Sequence, residues 1–383
     1  MLHSFQSPSR IHAGIGAHAR VGEILAGFGS DRIFIVADAA VLGSEIFGLV
    51  DGVLRQQGIA SAVFSGIAPD PSDTIVAEAI DGARAHGASA LLALGGGSTI
   101  DVAKAVGIVA TNGGRIHDYE GIDKFSVPPL PLIAIPTTAG TGSEVSGSCV
   151  ITDSQRHLKM SIRHAALNPA KAAILDPLAL KTMPAHVAMH SGMDAFVHAF
   201  ESYISRKASP FTDALNLHAL RLIARNLRPF VSNRGNLQAG LDMLVGSALA
   251  GMAFGLTGLG NVHCLARFVG TYFHLPHGLS NAVCLPHVAD FNRIAAPEKY
   301  AAIADAFGAD VRGVAPEVAA RTAVAEIRAF CADLGVPARL RDVGADEAVF
   351  EEIADLCVEA DYDRWNPRST TRADFLALLR AAY

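Results

Sequence analysis

Along the first 180 residues the apolar positions fall into short, β-branched runs separated by longer stretches of helical period. Arg32–Val36, Ala60–Phe64, Ser89–Leu94 and Leu132–Ile135 read as strands, and Ser72–His86 and Thr99–Val109 as helices between them. Strands alternating with helices predict a mainly parallel sheet covered on both faces. Beyond Met183 the strand pattern stops. Ala- and Leu-rich segments such as Pro210–Asn226 and Gly240–Ala253 predict a helical bundle. The expected organisation is therefore an α/β domain over residues 1–182 followed by an all-α domain over residues 183–383, with no internal repeat or low-complexity tract.

One apolar segment changes this picture only if it spans a membrane. Leu244–Val262 is uncharged and contains the GxxxG stretch Gly251–Gly255. It also carries five glycines, lacks basic or aromatic flanks and runs straight into His263, so it reads as a buried helix and turn. With 383 residues, two cores are expected, and 50% hydrophobic against 18% charged residues fits an oligomer, a homodimer or larger. The net charge of −6 and the lack of any Lys/Arg cluster exclude an electrostatic nucleic-acid binder. Five scattered cysteines without CxxC spacing read as reduced thiols of a cytoplasmic protein. Met1–Phe5 shows no basic segment followed by an apolar stretch, so no signal peptide is expected.

Two turns in the first half carry candidate chemistry. Gly95-Gly96-Gly97-Ser98 joins the strand ending at Leu94 to a helix containing Asp101 and Lys104. Glycines at such a turn let backbone N–H groups approach an anion, a dinucleotide pyrophosphate for example, at a helix N-terminus; a purely structural turn is the alternative. Thr137-Thr138-Ala139-Gly140-Thr141-Gly142-Ser143 follows the next strand, where open α/β sheets bind ligands. Asp38 ends the Ile33–Val36 run. There a carboxylate accepts ribose hydroxyls and repels a 2′-phosphate, favouring NAD over NADP, unless it is simply a turn residue.

The second half holds a possible metal set. Asp194 and His198 are four apart and share a helix face, and His263 and His277 follow. One carboxylate and three imidazoles form a complete ligand set for Zn²⁺ or Fe²⁺, an ion able to polarise a carbonyl or alkoxide oxygen.

Together these stretches resemble the iron-containing (group III) alcohol dehydrogenase family. The matching residues are Gly95-Gly96-Gly97-Ser98-Thr99-Ile100-Asp101-Val102-Ala103-Lys104, Pro136–Val145, Asp176-Pro177-Leu178, and Gly192-Met193-Asp194-Ala195 with His198 and Glu201. Gly260–His263, Pro276-His277-Gly278 and Asn366-Pro367-Arg368 continue the match in order over nearly the whole chain. The resemblance implies a dinucleotide-binding domain and a helical domain of the kind also found in dehydroquinate synthases, with the active site in the cleft between them. It implies that Asp194, His198, His263 and His277 hold the metal. It also implies that Asp38, Gly95, Gly96, Gly97, Ser98, Asp101, Thr137, Thr138, Thr141, Lys159 and Leu178 contact the cofactor. The implied reaction moves hydride between a nicotinamide and a small alcohol or aldehyde, as in lactaldehyde reductases.

One position departs from the family. Its usual second histidine, four residues after the first, is here Arg267, which stays protonated and cannot serve as a base. Arg267 reads either as a clamp for a substrate carboxylate, sulfonate or phosphonate, or as a partner for a cofactor phosphate or a neighbouring acid. His274 is the other candidate for proton handling or for the pocket wall, and Phe254 for the pocket wall or the core. Three rival activities stand beside the dehydrogenase. A phosphate-substrate lyase would need more basic residues, a maleylacetate-reductase-like enzyme would work without metal, and a noncatalytic relative would keep the fold alone.

Overall fold

The structure, a computed structural model, describes residues 5–383; the chain start, Met1–Ser4, on which the signal-peptide expectation rests, lies outside them. The chain divides into two compact units, Gln6–Met183 and Pro184–Tyr383 with Phe5.

The first unit is built on strands β1 (Arg10–Ala13), β2 (Arg32–Ala37), β3 (Ala60–Phe64), β4 (Ala90–Gly95), β5 (Gly121–Ile122), β6 (Leu132–Pro136), β7 (Ser148–Asp153), β8 (Leu158–Arg163) and β9 (Ala172–Leu175). Six of them form one all-parallel sheet in the order β1-β9-β6-β4-β2-β3. Its helices are α1 (Val21–Phe28), α2 (Glu45–Gln56), α3 (Asp73–His86) and α4 (Gly97–Asn112). Side chains alternate across the sheet, as strand geometry demands. Phe34, Val36, Leu91 and Ala93 enter the core shared with α3 and α4, while Ile33, Ile35, Leu92 and Leu94 enter the core shared with α1 and α2. The chain leaves β2 toward β3 on one side and β4 toward β6 on the other. The crevice beyond the carboxyl ends of β2 and β4 is thus the topological switch point of the sheet.

A smaller sheet, β5-β8-β7, was not among the expected elements, nor were β1 and β9. The β7–β8 hairpin is legible in retrospect, because Cys149, Ile151, Met160 and Ile162 alternate with exposed or half-buried residues. β1 is not: its four residues Arg-Ile-His-Ala are exposed or half-buried and become a strand through pairing with β9.

The second unit contains α5 (Ala185–Ile204), α6 (Pro210–Ser232), α7 (Leu237–Thr257), α8 (Asn261–Phe273), α9 (His277–Asn292), α10 (Pro297–Phe307), α11 (Pro316–Asp333), α12 (Phe350–Glu359) and α13 (Arg372–Ala382), and no strand is found among residues 184–383. α5 packs against α6, α7 and α9, and Phe196 and Phe200, both on α5, meet Phe307, Phe330 and Tyr300 in an aromatic core. α7 is long and apolar enough to cross a membrane, but 56% of its apolar window is buried inside the protein. Gly246 of α7 approaches α6 so closely that a Cβ there would stand 2.9 Å from Ile223. α7 ends at Gly258, whose φ of 71° and contact with the Trp365 ring both require glycine before α8 begins.

Candidate active site

The metal candidates converge. Asp194 and His198 lie one turn apart on α5, His263 sits in the first turn of α8, and His277 opens α9. The Nε2 atoms of His263, His277 and His198 stand 3.5, 3.6 and 3.8 Å from the same oxygen of Asp194. Donors around a small divalent ion at about 2.1 Å are about 3.4 Å apart when tetrahedral, so the set fits such an ion. Asp194, His263 and His277 present ligand atoms that all lie within 4.8 Å of one another, with His198 alongside. The His198 and His263 rings stack at 4.7 Å, and Phe254 covers His198 at 4.5 Å. Asp194, His198 and His263 are buried, whereas the His277 side chain is 54% exposed. The centre is therefore open on one side, as a catalytic rather than a structural metal site is.

Two further residues orient this set. Glu201, seven residues after Asp194 on the same face of α5, is 2% exposed. It accepts hydrogen bonds from Val262 N at 2.6 Å and from His263 Nδ1 at 2.7 Å. Glu201 thus caps a free N–H in the first turn of α8 and fixes the His263 ring with Nε2 toward Asp194. Asn281, one turn after His277, donates to Asp194 Oδ1 at 2.8 Å, and its Nδ2 lies 3.2–3.3 Å from the Nε2 atoms of His277 and His263. Glu201 appeared only as part of the family resemblance, and Asn281 not at all. The i, i+4 spacing from His277 was the available signal.

Electrostatics follow from this packing. Burial alone would raise the Asp194 carboxyl, yet His198, His277 and His263 outweigh it and hold it well below the carboxylate range. Burial opposes charge on His263, but hydrogen bonds to Asp194 and Glu201 raise it to about 9. Changing Glu201 to Gln should remove one anchor of the imidazole and weaken metal affinity by about 10- to 100-fold. Titration of the apo protein with Zn²⁺ against a competing chelator measures this; unchanged affinity would assign Glu201 to helix capping alone.

Asp38, the glycine turn and the Thr-rich turn meet at the switch point. Gly96 precedes α4 and donates its N–H to Asp38 Oδ2 at 3.2 Å, while Thr99 Oγ1 donates to Asp38 Oδ1 at 2.5 Å. None of Gly95, Gly96 and Gly97 has positive φ; space demands glycine at the outer two. A Cβ on Gly95 would lie 2.4 Å from Thr99 and 2.7 Å from Asp38, and one on Gly97 would lie 2.8 Å from Thr141. Thr137 N donates to Gly95 O, tying the two turns together, and Thr138 flanks Gly96. Ser98 follows at the start of α4. Leu178 packs beside the sheet in a 3₁₀ turn after β9, its N–H donating to Asp176. Lys159 stands on β8, where its Nζ pairs with Asp70 at 2.6 Å.

Asp101 is drawn into the fold rather than outward. Its two oxygens accept from Ser143 Oγ at 2.6 Å and Val150 N at 2.9 Å. Buried Lys104 donates to the Ser146 and Ser148 carbonyls, and together these bonds brace the Thr-rich turn from behind. Glu144 lies in the same pocket, 2% exposed. Burial raises it to about 7, against smaller opposing effects of its own N–H and Lys104. Its folded value exceeds the unfolded 4.5, so the folded state binds the extra proton and stability falls as pH rises from 4.5 to about 7. The loss amounts to up to about 3 kcal/mol. Glu144→Gln should flatten this dependence, narrowing the Tm difference between acid and weakly alkaline buffer; an unchanged difference would acquit Glu144.

Arg267 and His274 complete the set. Arg267, one turn beyond His263 on α8, is exposed, lies 5.4 Å from the Phe268 ring, and pairs with no carboxylate among the described residues. His274 caps α8 with φ 53° and is likewise exposed.

A dinucleotide-type α/β unit followed by a helical unit holding a three-imidazole, one-carboxylate centre defines a metal-dependent nicotinamide oxidoreductase. The chain matches the iron-containing alcohol dehydrogenase family over residues 8–177 and the C-terminal part of the Fe-containing alcohol dehydrogenase family over residues 188–383. It is 40% identical to 1,3-propanediol dehydrogenase of Klebsiella pneumoniae over 97% of this chain and 96% of that one. It is 34% identical to sulfoacetaldehyde reductase of Bilophila wadsworthia over 98% and 97%. A crystal structure of 1,3-propanediol oxidoreductase superposes with a TM-score of 0.96 at 38% identity over the whole of both chains. Sulfoacetaldehyde reductase from Bifidobacterium kashiwanohense in complex with NAD+ superposes with 0.90 at 25% identity over 100% and 99%. The protein belongs to the iron-containing alcohol dehydrogenase family and is an oxidoreductase acting on CH–OH groups, interconverting alcohols and aldehydes.

Proposed function

We propose that this enzyme uses NAD(H) to interconvert a small acid-bearing aldehyde and its alcohol at the centre formed by Asp194, His198, His263 and His277. The observation that carries the acidic substrate is the exposed guanidinium of Arg267, one helical turn from His263 and without a carboxylate partner among the described residues. A cation that cannot lose its proton, beside a site open to solvent, suits the far end of a carboxylate- or sulfonate-bearing aldehyde. The relative and the neighbouring structure that act on sulfoacetaldehyde lend the same reading support.

The protein's own residues have separable tasks. A divalent ion, Fe²⁺ or Zn²⁺, supplies Lewis-acid polarisation of the alcohol or carbonyl oxygen when bound. Glu201 holds the His263 ring in register and Asn281 holds Asp194. Gly97 and Ser98 offer backbone N–H groups at the N-terminus of α4 to the cofactor pyrophosphate, beside Gly95 and Gly96 and flanked by Thr137, Thr138 and Thr141. The carboxylate of Asp38, just after β2, would repel a 2′-phosphate, which favours NAD over NADP. Leu178 and Lys159 belong to the cofactor set by sequence position, and Asp101 by bracing the Thr-rich turn. Arg267 orients the substrate through its acidic end, leaving the reacting carbon to face the nicotinamide. The exposed His274 is the candidate for passing the alcohol proton to water. NADH oxidation by metal-loaded enzyme, followed by absorbance over neutral and acid-bearing aldehydes, should show higher kcat/KM for the acid-bearing set; equal values would remove the acidic-substrate reading and leave the alcohol dehydrogenase.

A further inference from the structure

We propose that His186 and His190 form a second site for a divalent transition ion, a landing place from which the ion passes to the centre farther along α5. The inference rests on the reading that Asp194, His198, His263 and His277 hold that ion. His186, His190, Asp194 and His198 follow one another at i, i+4 steps along α5. Exposure falls along this row, from exposed His186 through half-buried His190 to buried Asp194 and His198. The two outer rings lie 5.9 Å apart between centroids, with their planes at 69°. Within the centre itself neighbouring imidazoles stand 4.7 and 5.4 Å apart. Two imidazoles on one ion at about 2.1 Å have centroids about 5–6 Å apart, so the outer pair already has the spacing of a chelate. No hydrogen bond or ion pair engages either ring among the described residues. Burial and the neighbouring His186 lower the His190 pKa, which favours the neutral ring that ligates.

The donors select the ion. Imidazoles without a carboxylate suit Zn²⁺, Co²⁺ or Fe²⁺ rather than Mg²⁺ or Ca²⁺, and the first turn of α5 holds no acid. Two imidazoles leave the remaining positions of the ion to water, so the pair releases what it binds, whereas four protein ligands retain it. From His190 to Asp194 is one helical turn, about 6 Å along the axis. His190 also packs against the start of α9. A Cβ at Gly278 would stand 2.0 Å from the His190 carbonyl oxygen, and its chain neighbour His277 is the exposed ligand of the centre. The pair thus borders the side on which the centre is open, and all these residues belong to the second unit.

Equilibrium dialysis of tag-free apo-enzyme, with free Zn²⁺ present throughout, counts the sites. The parent should hold two ions per chain, His186→Ala/His190→Ala one, and Asp194→Ala one. Rapid mixing of apo-enzyme with Co²⁺, followed by the visible absorption of the centre, reads the landing role. In the parent the loading rate should level off as Co²⁺ rises, because transfer from the filled pair becomes limiting. In the double variant it should rise in proportion to Co²⁺ and be about tenfold slower or more at low Co²⁺. The final absorption, and alcohol oxidation once loaded, should match the parent. His186→Ala alone, at an exposed position, should show the same slowing without disturbing the packing of α5. Equal ion counts in the parent and the double variant would overturn the site, and equal loading would overturn the landing role. An Asp194→Ala variant that still holds two ions would instead discard the centre, and the transfer with it.

Discussion

Asp194→Ala should lower kcat/KM for every alcohol and aldehyde by about three powers of ten or more, because Lewis-acid activation contributes several kcal/mol. Asp194 is the only anion among the four candidate ligands, and one of its oxygens is the point on which three imidazoles converge at 3.5–3.8 Å. Without it only three imidazoles remain, Asn281 loses its acceptor, and His263 loses one of the two carboxylates that raise it. Metal analysis after dialysis should therefore show substoichiometric ion in the variant and a full complement in the parent enzyme. Circular dichroism guards against simple unfolding, since Asp194 is buried in α5. A variant that loses its metal yet keeps its rate would establish metal-free hydride transfer and sink the assignment of this centre.

Arg267→Met should discriminate between substrates. Loss of a charge-assisted contact is expected to cost about 2 kcal/mol, roughly 30-fold in kcat/KM, for sulfoacetaldehyde or a carboxylate-bearing aldehyde. Neutral aldehydes of similar length should change little, because the methionine keeps the aliphatic stem. Arg267→Lys should recover part of the loss: it restores the charge but not the planar fork that matches an oxyanion at two points. If Arg267 serves the cofactor phosphate instead, KM for NADH will rise equally whatever the aldehyde. The two roles are thus separated by which KM moves.

Much of this site was legible before any coordinates. Asp194 and His198 could be placed on one face by counting along a helix, and Glu201 came with the family resemblance. The glycine turn could be placed by its position between a strand and a helix. Other parts were hidden because they depend on approach in space. The glycine run reads as a device for exposing N–H groups, yet Gly95 and Gly97 are glycine because Asp38, Thr99 and Thr141 leave no room for a Cβ. Asp38 reads as a ribose partner, and only the structure shows that its oxygens also accept from Gly96 and Thr99. Asp101, four residues beyond Gly97, reads as part of the cofactor set, and the structure adds that it ties the Thr-rich turn from behind. Asn281 is signalled only by its i, i+4 spacing from His277, since an asparagine in a helix looks like a solvated polar residue until Asp194 is found beside it.

By itself, then, the chain determined what local periodicity and spacing encode: alternating strands and helices giving way to helices alone, and a ligand pair four residues apart. Those features depend on the geometry of single elements, which a sequence states directly. The tertiary structure decided which residues 60 to 90 positions apart meet. It brought His263 onto Glu201 and Asn281 onto Asp194, opened the centre on the His277 side, and left Arg267 exposed with no carboxylate partner among the described residues. Such pairings follow from how whole helices pack, and packing is set by the sum of many buried contacts rather than by any residue's neighbours in the chain.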